Sequence, residues 1–253
     1  MEEIVIGLSL GLVIGMTLAI MGAGGSILAV PALIFAADLP VREASGTALL
    51  IVVGAALIGG IARWRAGIAR VDIAVTFGLT GVAGAFLGAW LNQRASEDLI
   101  IILLAIVMLV AALRMAQGRV DGSATEERQR IAGARLGLVL VLGTGLGVMT
   151  GFFGVGGGFL IVPVLVLVLR LPMSWAVGTS LLVISFNATA GLAGHLTFGE
   201  VDFGAGMPAL IGAALGAVTG SRVGQRIKES WLRSAFTLLL GVVAIVLLIQ
   251  RPS

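Results

Sequence analysis

The sequence predicts an all-α polytopic integral membrane protein, made of two repeats of four apolar segments each. Three observations carry that prediction: composition, the length of the apolar runs, and self-similarity at a constant offset. Of 253 residues, 58% are hydrophobic and 11% charged, where a soluble domain carries about 25% charged residues. The mean hydropathy is +1.13, so most of the surface must face something other than water. Runs close to the ~20 apolar residues that hydrocarbon demands of a helix make that something lipid.

Eight apolar blocks follow one another: Ile4 to Ala36, Ala44 to Ala62, Val71 to Leu91, Leu99 to Leu113, Leu136 to Leu169, Met173 to Gly194, Phe203 to Val223 and Trp231 to Ile249. The first and fifth are too long for one ordinary crossing, and glycines interrupt both. Trp64, Trp90, Trp175 and Trp231 lie near block ends, where an aromatic belt places them. The opening MEEIVIGLSL has no basic residue ahead of its apolar stretch, unlike a cleaved signal peptide, so the first segment is expected to be retained. The polar stretch from Arg114 to Arg135 reads as a solvated linker. The expected organisation is a first membrane repeat over residues 1–113, a charged cytoplasmic linker over 114–135 and a second membrane repeat over 136–253.

The repeat has an offset of 132 residues. Pro31 pairs with Pro163 and Pro40 with Pro172; Gly46-Thr47 pairs with Gly178-Thr179; Gly22, Gly24 and Gly25 pair with Gly154, Gly156 and Gly157. Glycines alone would mean little in so glycine-rich a chain, but one offset that also aligns prolines and a Gly-Thr pair is a transporter signature. Charge distribution bears on orientation. If all eight blocks cross once, Lys and Arg fall almost evenly on both sides. If the fifth block is a hairpin returning to its own side, 13 of the 16 basic residues gather on one face and only Arg42, Arg94 and Arg251 on the other. The positive-inside rule prefers the second arrangement. By repeat symmetry the first block is expected to be a hairpin too. Each half is then a glycine-broken re-entrant segment plus three spanning helices, the halves are inverted, and both termini are periplasmic.

Two pairs of motifs can carry chemistry. MGAGGSILAVP (Met21 to Pro31) and FGVGGGFLIVP (Phe153 to Pro163) free the backbone to leave the helix, which at membrane depth is tolerated only beside protein or a water-filled cavity. A half-helix start offers free N–H groups and a dipole suited to an anion. The candidate ligands here are Gly22, Gly24, Gly25 and Ser26, with Gly154, Gly156, Gly157 and Gly158. ASGTALL (Ala44 to Leu50) and AVGTSLL (Ala176 to Leu182) add the hydroxyls of Thr47, Thr179 and Ser180, and Asn187 is an intramembrane amide beyond them. Back-bonding to the preceding turn is the competing use of such hydroxyls. Arg63 and His195, which match at the offset, are candidates for a gate or mouth. Gly84/Gly88 and Gly216/Gly220 read as close helix packing, and a homodimer through such faces is expected.

Other classes are disfavoured. With no Cys there is no thiol nucleophile or Cys-based metal site, and no cofactor or metal is expected. GVGGGF lacks the Lys-Ser/Thr ending of a nucleotide loop. Basic residues cap apolar runs and form no basic face, so nucleic acid is not an expected partner. No Asp or Glu lies deep in a block, so a dehydrated divalent cation would find no carboxylate, which favours an anion.

At these motifs the chain resembles the TauE/SafE family of sulfite and organosulfonate exporters. The resemblance covers nearly the whole chain and rests on the paired glycine breaks, the proline after each, and the Gly-Thr-Ser/Ala-Leu motif of both halves. It implies secondary transport of sulfite, a sulfonate such as sulfoacetate, or a related oxyanion across a bacterial inner membrane. The alternatives left by the residues are an anion channel and a carrier of another small carboxylate or oxyanion. Ser26 stands at the Gly158 position and Ala55 at the Asn187 position, so the halves would contribute unequally.

Overall fold

A computed structural model describes residues 2–37, 39–92, 94, 97–117, 136–153, 158–198 and 201–249. Every regular element among them is helical: α1 (Glu2–Met21), α2 (Gly24–Ala36), α3 (Val41–Arg65), α4 (Val71–Asn92), α5 (Glu97–Gln117), α6 (Leu136–Phe153), α7 (Gly158–Leu167), α8 (Met173–Phe198), α9 (Phe203–Arg226) and α10 (Glu229–Ile249). Most of the predicted linker lies outside the described residues.

Among the described residues, four helices are long and apolar enough to cross a bilayer: Ile4–Met21, Glu43–Arg65, Met173–Ala193 and Phe203–Arg226. The sequence treats α1 as one arm of a hairpin, yet by length it could cross by itself. Its partner α2, with 13 residues, could not. The chain does double back between them, because Gly25 near the start of α2 packs on Ile14 and Leu18 of α1. Pro31 and Pro163 sit inside α2 and α7. The first interruption therefore falls at Gly22 and Ala23, well before the proline.

The bundle is built on small residues facing inward and large apolar residues facing outward. Leu79, Val141 and Leu238 are about 70% exposed, a surface fit for lipid. Gly212, Gly216, Gly220 and Gly224 of α9 are buried. A Cβ on Gly212 or Gly216 would overlap the carbonyls of Leu8 or Leu12, and one on Gly11 or Gly15 those of Ala209 or Ala213. α1 and α9 thus lie side by side in parallel at backbone contact. α4 and α6 do the same through Gly84 and Gly88 against Thr144 and Val148. Glycine permits that approach because no side chain separates the helices. The expectation that Gly84/Gly88 and Gly216/Gly220 serve packing is met. These faces are consumed within one chain and do not offer a dimer surface.

Gly15→Val is expected to lower the thermal midpoint of the detergent-solubilised protein and its folded yield, since the overlap is with backbone that cannot rotate away. Gly241→Val is the control, because a Cβ there meets nothing within 4 Å. An unchanged midpoint for Gly15→Val would contradict this account of the packing.

α3 and α8 cross at the centre and run antiparallel. Gly60 packs on Leu182, Gly178 on Arg63, and Gly191 on Leu49, so the end of one helix lies beside the start of the other. The turn after α3, the start of α8 and the α9–α10 turn share one end of the molecule. There Gly178 abuts the carbonyl of Ile68, and Glu229 accepts from the backbone N–H and hydroxyl of Ser174 at 3.2 and 3.0 Å. At that same end Arg233 donates through Nε to the carbonyl of Met115 at the end of α5.

Candidate functional site

The break between α1 and α2 is built by accounting for its backbone. The last carbonyls of a helix and the first N–H groups of the next have no intrahelical partner. Gly22 turns the chain with φ of +80°, a conformation that costs an L-residue about 1–2 kcal/mol, and its N–H donates to the Leu18 carbonyl at 2.7 Å. The guanidinium of Arg63 donates through Nη2 to the carbonyls of Ala19 (2.9 Å) and Ile20 (3.5 Å). Ser180 donates to the Gly22 carbonyl at 3.2 Å, and Ser26 to that of Ala23 at 2.8 Å. The oxygens of the break are therefore largely capped. The N–H groups at the start of α2 are treated otherwise: Ala23 occupies the cap position and supplies no side-chain acceptor. A break with plugged carbonyls and uncapped N–H groups presents positive potential.

The second break runs from Phe153 to Gly158. Gly154, Gly156 and Gly157 lie outside the described residues. Gly158, the first residue of α7, is buried. A Cβ on it would stand 3.0 Å from both Ser26 Oγ and Ile184 Cδ1. Ser26 and Gly158 are the residues that match at the offset of 132, so α2 and α7 meet start to start, against the middle of α8. Gly24 and Gly25 are buried in the same region, and Gly25 has no room for a side chain, since its Cβ would lie 2.5 Å from the carbonyl oxygen of Ile14.

The threonines have another use. Thr47 Oγ1 accepts from the backbone N–H of Asp202 at 3.0 Å, and Thr179 Oγ1 accepts from that of Arg70 at 3.0 Å. Residues 70 and 202 are themselves 132 apart, and both threonines are fully buried. Each hydroxyl holds the entry to a helix from the opposite half of the chain: α9 for Thr47 and α4 for Thr179. The glycine before Thr179 is explained by the same contact, since a Cβ on Gly178 would overlap the Ile68 carbonyl. Asp202 also caps α9 with its side chain, accepting from Gly204 and Ala205 at 2.7 and 3.2 Å. Because α3 and α8 are antiparallel, the two clasps lie at opposite ends of that pair, about 24 Å apart at about 1.5 Å of rise per residue.

Ser180 back-bonds to Val177 at 2.9 Å while it reaches Gly22. Asn187 is partly buried, and its side-chain oxygen is enclosed without a hydrogen-bond partner among the described residues. That oxygen faces Gly81 of α4, where a Cβ would stand 3.6 Å away. Asn187 is thus near the crossing of α8 with α4 and α6, apart from the contacts described for the first break. Arg63 and His195 fall at opposite ends of the α3/α8 pair, as a two-sided gate would require. The environment of Arg63 differs from the expected one. Arg63 lies just past the end of an apolar block, where a mouth residue was expected, yet it is fully buried. Its sequence signal was its place near the end of an apolar run, just after Gly59-Gly60. The pairing of Arg70 and Asp202 with the threonines was not anticipated, although the offset alone relates both residues.

Among the described residues, apolar bilayer-length helices, backbone contact through glycine and an interrupted helix held in the interior define the class: a multi-pass helical membrane protein. The chain belongs to the sulfite exporter TauE/SafE family, whose model matches residues 7–247. It is 31% identical over 252 residues to a "Probable membrane transporter protein" of Xylella fastidiosa strain 9a5c, covering 96% of this chain and 94% of that one. It is 28% identical over 238 residues to the "Probable membrane transporter protein YdhB" of Bacillus subtilis strain 168, covering 93% and 96%. No solved structure matches it.

Proposed function

We propose that this protein is a secondary transporter that exports a small anion, sulfite or an organosulfonate such as sulfoacetate, across a bacterial inner membrane. The observation that carries the reading is the first break, where Arg63, Ser180 and Ser26 occupy the carbonyls of Ala19, Ile20, Gly22 and Ala23 and no side chain caps the start of α2. Such a site donates hydrogen bonds and attracts negative charge. The second break meets it at Ser26 and Gly158. The ligands in this reading are the backbone of Gly22, Gly24, Gly25 and Ser26, the matching segment Gly154 to Gly158, and Ser180, with Asn187 beyond them. Thr47 and Thr179 hold the framework.

Transport proceeds by alternating access between two inverted halves, residues 1–113 and 136–253, joined by a cytoplasmic linker, with both termini periplasmic. The antiparallel crossing of α3 and α8, which match at the offset, supports inversion. So does the gathering of Arg63, Arg65, Arg70 and Lys228 toward one end of the bundle. The test is flux of labelled sulfite and sulfoacetate in proteoliposomes, with counterflow against the unlabelled anion. Saturable exchange of either is expected. A flux that never saturates would indicate a channel, and none at all with folded protein would remove the substrate assignment. A reporter fused after Ser253 that works only in the cytoplasm would reverse the orientation.

A further inference from the structure

We infer that Arg63 is the specificity-determining residue that makes the first break selective for anions, by overcompensating the negative end of α1. The inference rests on the reading above that this break takes an anion.

Helix α1 ends at Met21 and α2 begins at Gly24. An anion lying against the start of α2 is favoured by the roughly +0.5 charge of that terminus, but it also meets the roughly −0.5 charge at the end of α1. A break flanked by both ends has little net preference for either sign. Arg63 changes that balance. Its Nη2 lies on the carbonyls of Ala19 and Ile20 at 2.9 and 3.5 Å, the exposed end of α1. A full positive charge there cancels the α1 terminus and leaves about half a charge over, adding to the field of α2.

Three features separate this role from that of a simple helix cap. The side chain is 0% exposed, and burying a guanidinium is costly unless it is paired and fully hydrogen-bonded. Its partners among the described residues are backbone carbonyls, the third being Ser174 at 3.4 Å, and no carboxylate neutralises it. Its Nε is enclosed with no hydrogen-bond partner among the described residues. A cap alone could be provided by glycine and water. A permanent charge kept buried, unneutralised and incompletely bonded is accounted for by a counter-charge that arrives with the substrate. At the matching position the second half has His195 in place of an arginine.

The experiment compares counterflow of sulfite, dianionic sulfoacetate and monoanionic methanesulfonate in proteoliposomes, normalised to folded protein, for wild type, Arg63→Gln, Arg63→Lys and Gly224→Ala. The last introduces a Cβ that would stand 2.6 Å from Nη2 and displaces the guanidinium while keeping the charge on the chain. Arg63→Gln is expected to raise the half-saturating concentration roughly tenfold, the scale of one charge acting over about 12 Å at an effective dielectric of about 20. The rise should be larger for sulfoacetate than for methanesulfonate. Arg63→Lys recovers most of the loss, and Gly224→Ala shifts half-saturation in the same direction as Gln.

A merely structural cap would lower the folded fraction and leave the half-saturation and charge dependence of the folded protein unchanged. That result overturns the inference. If Arg63→Gln yields no folded protein, unchanged half-saturation in Gly224→Ala overturns it instead. Absence of saturable exchange in the wild type would sink the anion-carrier reading itself. Saturable wild-type exchange with unaltered Arg63→Gln affinity would sink only the role of Arg63.

Discussion

Gly25→Leu is expected to abolish saturable anion exchange while the protein still inserts and keeps its helix content. Gly25 is where α2 turns back along α1, and a Cβ there would lie 2.5 Å from the Ile14 carbonyl oxygen and 2.6 Å from Leu18 Cβ. Two of the nearest atoms belong to the α1 backbone, so no rotamer change relieves the overlap, and overpacking of this kind costs about 1–3 kcal/mol or more. The cheapest response is for α2 to swing away from α1. That moves the start of α2 away from the Gly22 turn and separates Ser26 from Gly158, while the glycine seams of α1 with α9 and α4 with α6 stay intact. Circular dichroism should therefore be nearly unchanged and counterflow lost. Wild-type exchange by a folded Gly25→Leu protein would remove the first break from the transport path.

The second large effect is expected from Thr47→Val and Thr179→Val, which should loosen opposite ends of the molecule. Valine keeps the shape and removes the acceptor, leaving the buried N–H of Asp202 or Arg70 without its partner, at a cost of about 1–3 kcal/mol. At roughly tenfold per 1.4 kcal/mol, local opening should increase about tenfold. The chain has no native cysteine, so single reporters can be placed at Ala69 and Val201 and reacted with a membrane-impermeant maleimide. Thr179→Val should accelerate labelling of Ala69→Cys alone, and Thr47→Val that of Val201→Cys alone. Serine at either position, which restores an acceptor, should return the rate toward wild type. Labelling unchanged at both reporters, or accelerated at both by either variant, would show that the hydroxyls do not act as separate clasps.

Much of the architecture was legible in the sequence because it depends on one-dimensional quantities. The helical class follows from bilayer thickness and hydropathy. One offset aligns Pro31 with Pro163 and Thr47 with Thr179. The packing role of Gly84/Gly88 and Gly216/Gly220 follows from spacing along one helix face. The site was legible in part. The first glycine break was recognised as a place where the backbone leaves the helix, and Ser26 with Gly158 as matching residues. That these two touch could not be read, because contact between halves depends on how α2 and α7 are carried to the centre.

The threonines mark the limit of such reading most sharply. A hydroxyl near a helix start can serve a ligand, its own preceding turn or a distant backbone, and the residue type is the same in all three. Only the approach of residues 70 and 202, each from the other half, assigned the hydroxyls to holding the framework. Arg63 marks a second limit, because position near the end of an apolar run suggests a membrane mouth, whereas burial depends on what packs over it. Membrane residence and the helical elements could be read from the chain alone, since these rest on local hydrophobicity. The tertiary structure alone decided which carbonyls Arg63 covers, which N–H groups stay uncapped and which hydroxyls are already engaged, since hydrogen bonds between distant segments are set by three-dimensional approach.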